Sequence, residues 1–385
     1  MIRSAAAACA VVTTASVGAA SVAFARKATE ISSKRRDTLP IISWTDAVVE
    51  VAATPETLAP GHYSLYTGQG RGHARIGKLI ATTPETVVRE VEAIYRPAPP
   101  DVAYGYWSGY AFETPADLDL PSVDVEIPVD RGSAPAWLIP GSSADVWTVH
   151  IHGLGGRRAA CLRSVPVFQE LGHTQLVVSY SGDRDAPPLT DRRHHFGLDE
   201  WQDVDAALSF AVANGAQKVI LSAWSMGATI ALQLLKRSAF RHVLAGIVLT
   251  APVLDWRPTL VEQGVAAGLP VFITRTGLSI LGSRLLHRLA GLSHELDFSS
   301  ASWFTTPPQG LPPILILHSP ADAMAPFALS ERWAAENSAD LESVISPGHT
   351  LEWSAQRTAC EEAVRRWVNL KLPTTSRRLI DVETD

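Results

Sequence analysis

Little in this chain of 385 residues points to nucleic acid, nucleotides or metal ions. Its 33 Lys and Arg are outnumbered by 39 Asp and Glu, and the net charge of −6 offers no general electrostatic case for a nucleic-acid partner. The one basic cluster, Arg26-Lys27 and Lys34-Arg35-Arg36, follows an apolar leader and reads as its flank. No Walker loop is present, and no G-x-G-x-x-G follows a strand, so no nucleotide-binding fold is indicated. His150-Ile151-His152 and His194-His195 lack a matching carboxylate or cysteine spacing, so no metal or other cofactor is expected. Cysteine is scarce at 3 residues. Two of them, Cys161 and Cys360, lie beyond the leader and read either as a disulfide or as two buried thiols. After residue 25 no run is long and apolar enough to span a bilayer.

What is present begins with a targeting segment. Arg3 precedes an uncharged run from Ser4 to Ala25, rich in Ala, Ser and Thr, and Ala23-Phe24-Ala25 fits the small-x-small rule for cleavage. The expectation is export, with the mature protein in the cell envelope or outside the cell. An uncleaved N-terminal anchor is the alternative, and the only expected route to membrane attachment. Cys9 lacks the preceding leucine pattern of a lipoprotein signal. Residues 26–39 are polar and charged, as in a linker. Residues 40–120 form a β-rich extension, with turns at Pro60-Gly61 and Gly68-Gln69-Gly70-Arg71-Gly72 between short strand-like runs.

Regular alternation follows over residues 121–372, before a tail at 373–385. Val123–Ile127 alternates apolar and charged residues. Strand-like runs at Val146–Ile151, Gln175–Tyr180, Val219–Leu221, Leu244–Leu249, Ile314–His318 and Leu341–Ile345 are separated by helical segments such as Asp199–Ala213. The closing helix is expected over Trp353–Leu370. This order predicts an α/β fold, a mostly parallel sheet covered by helices on both faces. A helical insertion at about 256–304, with Leu278–Leu292 its clearest part, is placed to act as a lid.

The most informative stretch is Lys218–Lys236. A short β-branched run leads into Ala223-Trp224-Ser225-Met226-Gly227, and a helix-forming segment follows. A serine on a sharp strand-to-helix turn is a nucleophile elbow, whose strained backbone demands small flanking residues. Gly227 meets that demand, and Ala223 stands where the commoner pattern has glycine. The turn also sets the Met226 N–H and a helix N-terminus beside the serine oxygen, where a developing oxyanion is stabilised.

From about Val123 to Leu370 the chain resembles the α/β-hydrolase family. Strand, glycine loop, strand, helix, elbow, strand, lid, acid loop and histidine loop follow in that family's order. The runs Ser179-Tyr180, Pro187-Pro188, Glu200–Ala207, Ala251–Trp256, Gly348–Trp353 and Gly70–Arg75 are similar to a group of largely uncharacterised, exported actinobacterial members. The resemblance implies a serine hydrolase with Ser225 as nucleophile, His349 as base and Asp322 as the acid that orients it. Asp255, after the preceding strand, is the rival acid. His152-Gly153-Leu154-Gly155-Gly156 resembles the H-G-x-G-G loop, so Leu154 would supply the second oxyanion N–H beside Met226, with His152 steadying the loop. Serine at the elbow argues against the aspartate chemistry of haloalkane dehalogenases.

The expected reaction is acyl transfer to water on a small-molecule or acyl substrate. Carboxylic esters come first, a peptidase resembling serine aminopeptidases second, and acyl transfer to an envelope acceptor third. A catalytically inactive binding scaffold is the reading outside the enzyme class. The apolar lid residues Leu278, Ile280, Leu281, Leu285 and Leu286 suggest either an apolar substrate or ordinary packing.

Overall fold

The computed structural model describes residues 16–31, 36–305 and 310–372. Most of the Ser4–Ala25 run, Cys9, part of the linker and the tail lie outside the described residues. The first described element is a helix, α1, over residues 16–28. Two β-structures follow.

The first is a closed six-stranded antiparallel barrel in the order β1-β2-β5-β4-β3-β6. Its strands are β1 (Leu39–Trp44), β2 (Val48–Ala52), β3 (Tyr63–Thr67), β4 (Gly72–Thr82), β5 (Thr86–Arg96) and β6 (Tyr104–Ser108). A one-turn helix, α2 (Pro55–Leu58), capped by Thr54, joins β2 to β3. Leu39, Val49, Val51, Leu65, Ala74, Ile76, Val87 and Val91 fill the barrel interior. Pairing of Leu39 with Gly105 closes it, and closure removes the free edges that a short sheet would otherwise expose. The extension expected as short strand-like runs is therefore a barrel with two eleven-residue strands.

The second structure is an eight-stranded sheet ordered β14-β13-β12-β11-β9-β10-β8-β7. Its strands are β7 (Val123–Val129), β8 (Gly132–Ile139), β9 (Ser143–Ile151), β10 (His173–Val178), β11 (Lys218–Trp224), β12 (Leu244–Thr250), β13 (Ile314–His318) and β14 (Asp340–Ser343). β8 runs antiparallel to β7 and β10, and the other pairs are parallel. The central strands are buried on both faces, as their near-continuous apolar sequence requires. On one face Val149, Leu221, Ile247 and Ile316 pack against α4 (Trp201–Ala213), α5 (Gly227–Arg237) and α8 (Phe327–Asn337). On the other, Ile220, Val248 and Leu315 meet α3 (Val165–Glu170) and α10 (Arg357–Lys371). This is the doubly covered sheet that the sequence predicts.

The insertion contributes α6 (Trp256–Ala266), α7 (Val271–Leu281) and a 3-10 turn at His287–Ala290. Its helix lies earlier than the expected Leu278–Leu292. Leu278, Ile280 and Leu281 are buried in the main core, whereas Leu285 is 88% exposed and Leu286 44%. Helix α1 lies across this insertion. A side chain on Gly264 or Gly277 would collide with Phe24 at 3.2 and 2.5 Å. Ala25 is fully buried in the main core, and Arg26 donates to the Leu289 carbonyl at 2.7 Å. No helix among the described residues is long and apolar enough to cross a membrane.

Candidate active site

The site grows from the junction of β11 and α5. Ser225 occupies the left-handed region at φ +51°, a conformation that costs an ordinary residue about 1–3 kcal/mol and persists only where its surroundings over-determine it. Here its N–H bonds Thr250 O at 3.0 Å and its carbonyl accepts from Ala228 and Val253, each at 3.1 Å. A Cβ at Gly227 would stand 2.8 Å from Ile151 O, so only glycine lets the helix leave this close to β9. Ala223, which departs from the commoner pattern, is paired with β9 and β12 on either side and its methyl is buried in the main core.

The loops after β13 and β14 converge on this serine. Ser225 Oγ lies 2.8 Å from His349 Nε2, and His349 Nδ1 lies 2.7 Å from Asp322 Oδ2. With Nδ1–H donating to the carboxylate, Nε2 is left to accept the serine proton. The other Asp322 oxygen accepts from Met324 N at 2.7 Å and Ala325 N at 3.0 Å. Burial alone would raise the Asp322 carboxyl; hydrogen bonds from His318 and His349 outweigh it and hold the group well below the usual carboxylate range. Asp322 is therefore ionised and acts as an acceptor.

Asp255 is elsewhere: it caps α6 through Arg257 N at 2.9 Å and accepts from Ser302 Oγ at 2.9 Å. The glycine loop after β9 meets the serine from the opposite side. A Cβ on Gly153 would fall 2.8 Å from Ser225 Cβ, so the loop carrying Leu154 touches the elbow that carries Met226. His152 is buried, with Nε2 2.8 Å from Asp183 Oδ2 and Nδ1 2.9 Å from Gly153 O. Burial lowers its pKa, but the charge and hydrogen bond of Asp183 more than offset this and raise it overall. Asp183, the Gly153 carbonyl and the Tyr180 hydroxyl all hold this ring, so His152 anchors the loop from behind.

Several supporting residues carry no local sequence signal. His318 Nε2 bonds Asp322 Oδ2 at 3.1 Å and its Nδ1 meets Ser330 Oγ at 2.8 Å. Its spacing of four from Asp322 was visible, but its role was not. Arg163, buried against the Trp224 ring at 4.4 Å, donates to Thr350 O at 2.6 Å and Ser354 Oγ at 3.1 Å, pinning the histidine loop. The barrel reaches the same loop: His62 N donates to Ser354 O at 3.2 Å. Glu113 joins Arg96 and Arg157 at 3.0 and 2.9 Å, so the barrel side also holds the residue that follows the loop glycines.

Between barrel and sheet lies a cleft of about 480 Å³ beside the glycine loop, where Tyr66, Tyr106, Tyr110, Gly155, Gly156 and Arg157 meet. Cys161 and Cys360 are both buried and unbridged. Ester, amide and thioester carbonyls are all within the chemistry of a serine–imidazole–carboxylate arrangement.

A model of the alpha/beta hydrolase family matches residues 138–363. A model of a domain of unknown function (DUF8805) matches residues 40–108, the span of the barrel. Among solved structures, an esterase of Pyrococcus furiosus superposes with a TM-score of 0.52 at 15% identity, covering 67% of this chain and 94% of that one. A proline iminopeptidase-related protein of Thermus thermophilus gives 0.49 at 19% identity, covering 66% and 99%. A thermostable carboxylesterase cloned from a metagenomic library gives 0.47 at 20%, covering 66% and 90%. At these identities the likeness is one of fold. No curated protein matches the sequence.

Proposed function

The chain belongs to the alpha/beta hydrolase family, and on that premise we propose that it is a serine hydrolase cleaving carboxylic esters through a covalent acyl-enzyme. The observation that carries this reading is the unbroken relay from Ser225 Oγ through His349 to Asp322, at 2.8 and 2.7 Å, with the serine held at a strained elbow. In the first half-reaction Ser225 Oγ attacks the substrate carbonyl while His349 Nε2 takes its proton. The resulting imidazolium is stabilised by ionised Asp322. The oxyanion accepts from the Leu154 and Met226 N–H groups, with the α5 N-terminus behind them adding favourable potential. Collapse expels the alcohol, which His349 protonates. Water then repeats the sequence on the acyl-enzyme and restores Ser225.

The cleft between barrel and sheet reaches the glycine loop at Gly155 and Gly156, which supports a place there for part of the substrate. Its tyrosines and Arg157 suit an ester with a polar or aromatic portion better than a bare alkyl chain. The apolar lid residues argue for the apolar alternative less strongly, since three of the five serve the core. The packing of α1, with Ala25 buried in the core and Arg26 bonded to the Leu289 carbonyl, supports the reading of an uncleaved N-terminal segment. On that reading the enzyme is exported and stays associated with the cell envelope through this segment.

The test is turnover of short-chain, long-chain and aryl esters beside amino-acid anilides, with Ser225→Ala and Asp322→Asn. Ester turnover reduced by roughly 10⁴-fold or more in both variants is expected. Faster turnover of the anilides would transfer the assignment to a peptidase, and a folded wild type that turns over neither would refute it.

A further inference from the structure

Away from the relay, the loop preceding α4 and the end of the lid insertion bring two imidazoles and a carboxylate to one point. His195 Nδ1 lies 2.5 Å from Asp199 Oδ2, and His294 Nε2 reaches the same oxygen at 3.1 Å. The three ligand atoms all lie within 4.8 Å of one another. His195 and Asp199 come from one turn, four residues apart. His294 comes from the lid, with its ring edge-on to His195 at 4.9 Å and 87°.

We propose that His195, Asp199 and His294 form a binding site for a divalent transition-metal ion of the zinc class, which clips the lid insertion to the main domain. Two nitrogen donors and one carboxylate oxygen are a donor set that zinc accepts, with about 2.0–2.2 Å from metal to each ligand. At that radius tetrahedral ligand atoms stand roughly 3.4 Å apart. The Asp199–His294 separation nearly meets that spacing, and the His195–Asp199 pair needs to open by less than an ångström.

The second observation is what lies behind the first ligand. His195 Nε2 is 2.9 Å from Asp191 Oδ2, on the far side of the ring. With a metal on Nδ1 in place of the proton now shared with Asp199, that contact would keep the remaining proton on Nε2, which is how carboxylates orient metal-bound imidazoles. The same Asp191 oxygen accepts from Ser293 N at 2.8 Å and Ser293 Oγ at 3.0 Å, and so fixes the residue adjoining His294. His195 is buried at 2% side-chain exposure, whereas Asp199 and His294 are 25% and 48% exposed. The buried ligand is preset, and the exposed side gives an ion and its water a path in. The sequence around His194-His195 suggests no such partner set. The carboxylate is four residues on across an irregular turn, and the third ligand is about a hundred residues away.

The test uses full-length, tag-free protein dialysed against a chelator and titrated with Zn²⁺ in competition with a chromophoric chelator. One ion per chain is expected, with affinity reduced at least tenfold in His294→Ala and in Asp199→Asn. Asp191→Asn should weaken binding by about 10–100-fold, the range for lost outer-shell partners. Zn²⁺ should raise the melting temperature of the wild type and leave that of His294→Ala unmoved. His294 is half exposed, so this variant should fold, which circular dichroism verifies. Binding below one ion per chain, or equal binding by native-like His294→Ala, overturns the proposal and leaves the cluster a hydrogen-bonded lid contact only.

Discussion

Glu352 gives the account its sharpest stability prediction. It begins α9 (Glu352–Ala355), three residues after His349, and is fully buried. One carboxyl oxygen accepts from Ser319 N at 3.3 Å, and the other has no partner among the described residues. Burial, and next the negative charge of Asp322, push the carboxyl from its ordinary 4.5 up to about 8. A group raised in the folded state contributes most below its unfolded pKa and loses that contribution as pH rises to the folded value. The window here runs from about pH 4.5 to about 8, with a slope of about 1.4 kcal/mol per pH unit and a ceiling of about 5 kcal/mol. Glutamine keeps the acceptor for Ser319 and places an amide where the protonated oxygen stood. Glu352→Gln should therefore match the wild type near pH 5 and exceed its stability increasingly toward pH 8. Urea unfolding at pH 5, 6.5 and 8 measures this, with a gain of about 2–4 kcal/mol at pH 8. Parallel profiles for variant and wild type would mean that Glu352 is ionised throughout, and the reasoning fails.

Two further predictions concern parts that the fold adds to the site. Arg163→Met leaves the Thr350 carbonyl unpaired and frees the loop that carries His349, so kcat should fall by about tenfold or more with KM little changed, by steady-state kinetics on a turned-over ester. Deleting residues 1–31 uncovers the glycine faces of α6 and α7 and strips Ala25 from the core, so calorimetry should show a lower melting temperature. An unchanged value would make α1 a dispensable leader.

The main sheet was legible because its signals are local. Buried parallel strands read as apolar runs, each bounded by turns, and the elbow is a strand, a turn and a helix within nineteen residues. Ser225 and Asp322 each follow such a strand, His349 follows the half-exposed edge strand β14, and the sheet brings those strand ends together. The barrel was not legible as a barrel. Register shifts in β4 at His73/Ala74, Arg75/Ile76 and Leu79 interrupt the alternation that marks a long strand. Closure depends on Gly105 meeting Leu39, a contact that no window contains. The same holds for Arg163, whose buried charge serves a carbonyl 187 residues away. Residues 16–28 have the composition of a cleaved leader, and Gly264 and Gly277, which Phe24 packs over, lie far along the chain. The closing helix, expected as one piece, breaks at Gln356, where φ −133° and ψ 48° separate α9 from α10.

The central claim is that Ser225 is a nucleophile activated by His349. The most direct test is intact and peptide mass spectrometry after incubation with a fluorophosphonate, for the wild type, Ser225→Ala and His349→Ala. The account predicts one adduct per chain, mapped to Ser225, absent from Ser225→Ala and formed at least a hundredfold more slowly in His349→Ala. A native-like wild type that takes up no adduct, or takes it up at another residue, would contradict it.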